Sequence, residues 1–222
     1  MRKSGENMRI RVHRFLRLTE AEGPGERSVL WVQGCPIRCP GCFNIEAWDF
    51  GGGTVQTVGD LFAEIVAQEG REGVTFAGGE PFAQAAALAA LGRFCQNAGL
   101  SVVTFTGYEW RRIQETRRPD WRALVNVTDL LLAGRFIKEQ EDFSRPWVGS
   151  RNQEFVFLSD RYRHLSTRLE TIPNRLEFRF DEEGQISLNG LAPESEINEI
   201  CEELASLGLQ ISRQGGNGQW QR

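Results

Sequence analysis

The sequence predicts an α/β protein built on a parallel sheet, and three observations predict it. Short apolar strands alternate with segments of helical period between residues 28 and 159, the pattern of buried strands joined by crossover helices. The motifs "GCPIRC", "GGEP", "TGY" and "AGRF" each stand at the C-terminal end of an apolar run. In a parallel sheet those ends share one face, where sites are built. Residues 174–213 change character and read as a small α+β appendage. Right-handed crossovers allow an open doubly wound sheet or a full or partial barrel.

The elements follow in order. "IRVHRFLRL" (10–18) alternates as a strand, and "SVLWVQG" (28–34) is a second, nearly all apolar. "GGGT" (51–54) breaks the chain after a cysteine-rich loop. Leu61, Phe62, Ile65 and Val66 recur at helical spacing over 58–70, and Gly70 is a natural stop. Residues 73–81 form a strand ending in a glycine turn, and 82–99 an Ala/Leu helix closed by Gly99. A strand at 100–108 precedes helical segments around Trp110 and Trp121, broken at Pro119. Strands at 128–136 and 154–159 complete the core. A hairpin over 175–190, a helix over 193–208 and a strand at 209–213 form the appendage, assigned to 174–213. Residues 1–7 are expected to be disordered, 8–173 to be the core, and 214–222 a flexible tail.

Composition excludes some classes. A formal net charge of −4 gives no electrostatic case for sequence-independent nucleic-acid binding. No stretch approaches the roughly 18 apolar residues of a membrane span. The start lacks the apolar run of a secretory signal, so a cytoplasmic location is expected. Five cysteines, three of them crowded into one loop, argue against a disulfide framework and for a metal site.

That loop is "GCPIRCPGCFN", residues 34–44, with Cys35, Cys39 and Cys42 in the spacing C-x3-C-x2-C. The interleaved Pro36, Pro40 and Gly41 suit a wrapping loop, not a helix. A structural zinc site would need a fourth ligand. His13, His164, Cys95 and Cys201 are scattered singly, and no second close pair exists. A non-catalytic zinc module is the alternative from another class. A 4Fe–4S cube takes four protein ligands when complete, so three cysteines leave one iron open for a substrate or cofactor.

With these residues on the page, the chain resembles the radical S-adenosylmethionine (SAM) superfamily. "CPGCFNIEAWD" (39–49), "FAGGEPF" (76–82), "FTGYEW" (105–110) and "GSRNQ" (149–153) are similar to the small activating proteins of glycyl-radical enzymes, of the anaerobic ribonucleotide reductase and pyruvate formate-lyase type. The resemblance spans about residues 28–155 and implies a partial TIM-like (β/α) barrel. It also implies a 4Fe–4S cluster on Cys35, Cys39 and Cys42 whose open iron is chelated by SAM. Reduction would release a 5′-deoxyadenosyl radical that abstracts hydrogen from a glycine on a partner protein. The implied electron donor is a flavodoxin or ferredoxin.

Further residues acquire expected roles from the same resemblance. Gly78 and Gly79 would let the backbone approach the cofactor, and Glu80 would meet its amino group. Glu80 suits equally an acid at a helix start. Thr104 or Thr106 would touch the ribose, and Arg135 the carboxylate. Phe43 and Asn44 would lie beside the cluster or adenine; Trp48 and Asp49 fit the same pattern. Two departures stand out. Ala133 precedes Gly134 where the activases often have an acid, and the appendage exceeds the shortest activases. A peptide or small-molecule substrate is therefore the alternative.

Overall fold

The computed structural model describes residues 5–180 and 186–208. The turn expected at 181–185, the strand at 209–213, the tail at 214–222 and residues 1–4 lie outside these. Gly5–Asn7 form a turn where loose chain was expected. The Glu6 carbonyl accepts from Gly59 N at 3.0 Å, tying this turn to the first helix.

Seven strands form one sheet: β1 (Arg9–Thr19), β2 (Arg27–Val32), β3 (Thr54–Thr57), β4 (Gly73–Gly78), β5 (Ser101–Thr106), β6 (Leu130–Ala133) and β7 (Glu154–Phe157). Their order is β3-β1-β2-β4-β5-β6-β7. The expected parallel pairing holds in the centre, where β2, β4, β5 and β6 run together. Both flanks are antiparallel. The physical reason at the first flank is loop length. Residues 20–26 are too few for a crossover, which needs a dozen or more, so β1 and β2 form a hairpin. β3 was missed because the three glycines at 51–53 mask the four strand residues after them. The sheet is thus mixed and parallel-rich, with β3 and β7 as its two edges.

The helices α1 (Val58–Val66), α2 (Ala85–Asn97), α3 (Trp110–Glu115) and α4 (Pro119–Val125) contribute to a single apolar cluster on one face of the sheet. That arrangement is not doubly wound. α1 begins with reciprocal capping: Thr57 Oγ1 accepts from Asp60 N at 3.1 Å and donates to Asp60 Oδ2 at 2.7 Å. Pro119, expected to break a helix, starts α4 instead, where its missing N–H costs nothing. Val29, Trp31 and Ala77 face the opposite side, with Phe105 packed against them.

Two features govern what covers that second face. At the strand starts Arg27 is fully buried. Its guanidinium donates to Thr75 Oγ1 (2.7 Å), the Val74 carbonyl (3.0 Å), Ser101 Oγ (3.2 Å), the Tyr162 hydroxyl (3.3 Å) and the Pro24 carbonyl. The Tyr162 hydroxyl also lies 2.5 Å from Glu72 Oε1. Farther along the chain, β8 (Leu176–Phe180) and β9 (Ile186–Gly190) form a separate antiparallel hairpin, followed by α5 (Glu194–Ser206). Glu177 of β8 accepts from the Thr19 hydroxyl at 2.7 Å, which ties the hairpin to the end of β1.

Candidate cluster and cofactor site

The cysteine loop leaves β2 at its C-terminal end and is clamped there by Gln33, a polar residue closing an apolar strand. Gln33 is 2% exposed. Its Nε2 donates to the carbonyls of Glu46 (2.9 Å) and Asp49 (2.7 Å), and its Oε1 lies 2.9 Å from His13 Nδ1. Cys35 N donates to the Trp48 carbonyl at 3.1 Å. Entry and exit of the loop are thereby pinned together. His13, read from sequence as structural, belongs to this clamp.

Backbone N–H groups lie close to all three sulfurs, and Cys42 Sγ accepts one directly. Cys35 has those of Arg38 and Ile37, and Cys39 that of Phe136. Asn44 N reaches Cys42 Sγ at 3.4 Å. Burial pushes the Cys35 and Cys39 thiols up, and these N–H groups oppose it. Bound iron would deprotonate them outright, and N–H groups aimed at sulfur are the usual surroundings of an iron–sulfur cluster. The donor set therefore fits a cube held at three corners. Among the described residues no three His, Cys, Asp or Glu side chains form a group for a single metal ion.

Beside the loop lies a cavity of about 240 Å³, lined at this end by Cys42, Phe43, Asn44 and Gly78. Phe43 packs on Phe136 with ring centroids 5.5 Å apart. Arg135 is exposed and near enough to Cys39 for its charge to favour the thiolate. The structure brings these residues together at the strand ends, as the sequence anticipates.

Gly78 and Gly79 are required for a reason other than ligand approach. Gly78 has φ +97°, and a Cβ there would stand 2.6 Å from Trp31 Cα. A Cβ on Gly79 would stand 2.4 Å from the Gly34 carbonyl oxygen and 2.9 Å from that of Ala47. The close neighbour is the chain's own backbone, which seats the cysteine loop.

Glu80 takes the helix-start geometry. It is fully buried, and its carboxylate accepts from Phe82 N, Thr106 Oγ1 and Gly107 N, all at 2.9 Å. It does not line the cavity. Thr106 is the partner that holds it, and Thr104 is buried on the helix side, 2.9 Å from Thr128 Oγ1. Alternation along β5 explains this: Phe105 faces the cavity, so both threonines face away.

Burial raises the Glu80 carboxyl to about 7 despite its three donors. A folded-state pKa above the unfolded one means that folding takes up a proton. Stability is then full below about 4.5 and falls as pH rises through about 7. The expected loss is up to roughly 3 kcal/mol. Urea midpoints at pH 5 and 7.5 would measure it. A Glu80→Gln protein should show a shallower decline whatever its absolute stability; an unchanged slope would refute this assignment.

With this geometry in place, the comparisons with known proteins can be read. Residues 21–156 match the family model described as Fer4_12, a 4Fe-4S single cluster domain. The chain belongs to that family, in its radical SAM activating-enzyme branch. The anaerobic ribonucleoside-triphosphate reductase-activating protein of Haemophilus influenzae is 31% identical over 147 residues, covering 59% of this chain and 87% of that protein. Its counterpart from Vibrio cholerae is 29% identical over 150 residues, 64% of this chain and 94% of that one. The pyruvate formate-lyase 1-activating enzyme of Escherichia coli is 35% identical over 127 residues, 55% and 50% respectively. The family's cofactors, a 4Fe–4S cluster and SAM, are accordingly those of this chain.

Sequence reading missed Gln33 and Trp147. A polar residue ending an otherwise apolar strand is a signal for the first. Trp147 adopts φ +64°, is 6% exposed and lines the cavity, with its N–H held by Asn174 Oδ1 at 3.0 Å. A bulky residue in that region is a strained exception that sequence does not announce.

Proposed function

We propose that this protein activates a glycyl-radical enzyme by removing a hydrogen atom from a glycine of that partner. Cys35, Cys39 and Cys42 hold the cluster, and Phe43, Asn44 and Gly78 border the cofactor. Arg135 contributes positive charge at the rim. Glu80 contributes a buried carboxyl group and a rigid link from β4 to β5, and Thr106 positions it. Thr104 has no part in this reading. With both groups bound, the chemistry supplied is one-electron cleavage of the sulfonium and abstraction of hydrogen by the deoxyadenosyl fragment. The chain's own task is to orient the cofactor, exclude water and present the target glycine.

The observation that carries the reading is the tripod of N–H-supported sulfurs opening on a cavity at the ends of the parallel strands. A partial barrel over 8–173, with its gap filled by a partner, is the architecture that goes with it, and 174–213 is a separate appendage. The electron would come from a flavodoxin or ferredoxin in the cytoplasm; no helix among the described residues is long and apolar enough to cross a membrane. The test is anaerobic reconstitution with iron and sulfide, reduction with SAM, and assay of 5′-deoxyadenosine. An anaerobic ribonucleotide reductase or a pyruvate formate-lyase added to the mixture should gain a glycyl-radical signal. Cofactor cleavage with neither partner converted would sink the activase assignment.

A second reading has a specific observation behind it. β9 and α5 supply part of the cavity wall, which also suits a short peptide or a small molecule as the substrate.

A further inference from the structure

The cavity extends well below the cysteine loop. The Glu22 carbonyl accepts from Thr75 Oγ1 at 2.7 Å, and Thr75 is three residues before Gly78 on β4. At about 3.3 Å per residue this anchors Glu22 roughly 10 Å toward the strand starts. Asn189 of β9 is tied at the same level, its Nδ2 donating to Thr19 Oγ1 at 3.1 Å. On the sheet side Arg14 and Trp31 line the cavity level with Ala77, one residue from Gly78, and Glu22 lines it farther down; Leu188, Asn189 and Ile197 line it from β9 and α5. The hairpin and helix lie beyond residue 156, where the family match ends.

The polar groups here are not used by the fold. The Arg14 guanidinium makes no hydrogen bond or ion pair with a described residue and stacks 4.7 Å from the Trp31 ring centroid. The Glu22 carboxylate likewise has no hydrogen-bond partner among the described residues. Burial raises the Glu22 carboxyl to about 7, and the nearby, unpaired charge of Arg14 opposes that rise. Asn189 uses its amide nitrogen on Thr19 and keeps its oxygen. Behind them Glu177 and Arg179 form a pair of their own at 3.1 Å. The wall thus offers one strong donor and two acceptors set between apolar faces. Its opposite charges oppose a lone anion or a lone cation. They suit a neutral ligand that carries acceptor and donor side by side, and buried polar groups that lack such a partner are costly.

We propose that the wall formed by Arg14, Glu22 and Asn189 is a binding subsite for the main chain of a polypeptide substrate. Arg14 donates to a peptide carbonyl, and Glu22 and Asn189 accept from peptide N–H groups. The proposal rests on the activating-enzyme reading, since it assigns where the segment around the target glycine lies. Trp31, Leu188 and Ile197 admit only small side chains beside it.

The experiment is a saturation-transfer NMR titration of the reconstituted full-length protein, with SAM present. The probes are N-acetyl-Ala-Gly-Ala-amide and free glycine. The blocked peptide should bind and free glycine should not. Arg14→Gln, Glu22→Gln and Asn189→Leu should each weaken peptide binding at least tenfold. Hydrogen exchange on the wild-type protein should show peptide-dependent protection within 14–31 and 186–197, which covers any variant that fails to fold. Three results would overturn the subsite: no peptide binding, peptide binding unchanged in all folded variants, or free glycine binding with the same sensitivity. The last would mark a site for zwitterionic amino acids. Loss of peptide affinity in the variants, with no radical formed on any partner, would leave the subsite standing and defeat the activase assignment alone.

Discussion

Replacing Cys42 by alanine should leave the protein folded and unable to keep its cluster. Cys42 is partly exposed on a loop and lines the cavity, so its side chain carries little of the core. The tripod would fall to two thiolates, and two corners of the cube would lack a protein ligand. Altering even the groups that support a metal ligand commonly costs 10–100-fold in affinity, so loss of a ligand should exceed about a hundredfold. Iron and acid-labile sulfide per chain should fall to near zero after reconstitution, with the far-ultraviolet spectrum unchanged. Cys95→Ala is the contrasting case. Cys95 is fully buried on α2 within the apolar cluster, and burial pushes its thiol up to about 12. That variant should lose stability and retain iron. A Cys42→Ala protein with full iron and sulfide would show that the cluster assignment is wrong.

Arg27→Met should be the most destabilising single change away from the site. Arg27 joins β2, β4 and β5 at their starts through five donated hydrogen bonds, with Glu72 reached through Tyr162. Methionine fills much of the volume but removes all five donated hydrogen bonds from the strand starts. Breaking a buried charged network from one side costs about 3–5 kcal/mol. For a chain of this size that is a fall of roughly 6–20 °C in Tm, measurable by thermal denaturation of the apoprotein. Tyr162→Phe removes one hydroxyl and should cost about 1–3 kcal/mol. If Arg27→Met melts within a degree or two of wild type, the network contributes nothing net.

The central strands and α1, α2 and α5 were legible because their apolar periodicity is strong and their ends carry punctuation: Thr57 before α1, Gly99 after α2, Pro193 before α5. Strand direction was not legible. Apolar runs look alike whichever way they point, and only the seven residues between β1 and β2 hint at the reversal. Cys35, Cys39 and Cys42 stand out in the sequence because their spacing in a Pro/Gly loop has few other uses. Glu80 and Thr104 could not, since the facing of a side chain depends on where a strand starts its alternation. Arg14, Glu22 and Asn189 meet only through the fold, and no local pattern joins them.

The reversal of β7 has a consequence for how such a molecule can change. A further β–α unit laid against that border in the direction of β4, β5 and β6 would meet β7 running the opposite way, so the parallel run of the sheet ends there. The chain that follows stands outside that sheet, as the separate hairpin of β8 and β9 and the helix α5. Molecular reach can therefore be remodelled in these elements while the seat of the cysteine loop keeps its shape.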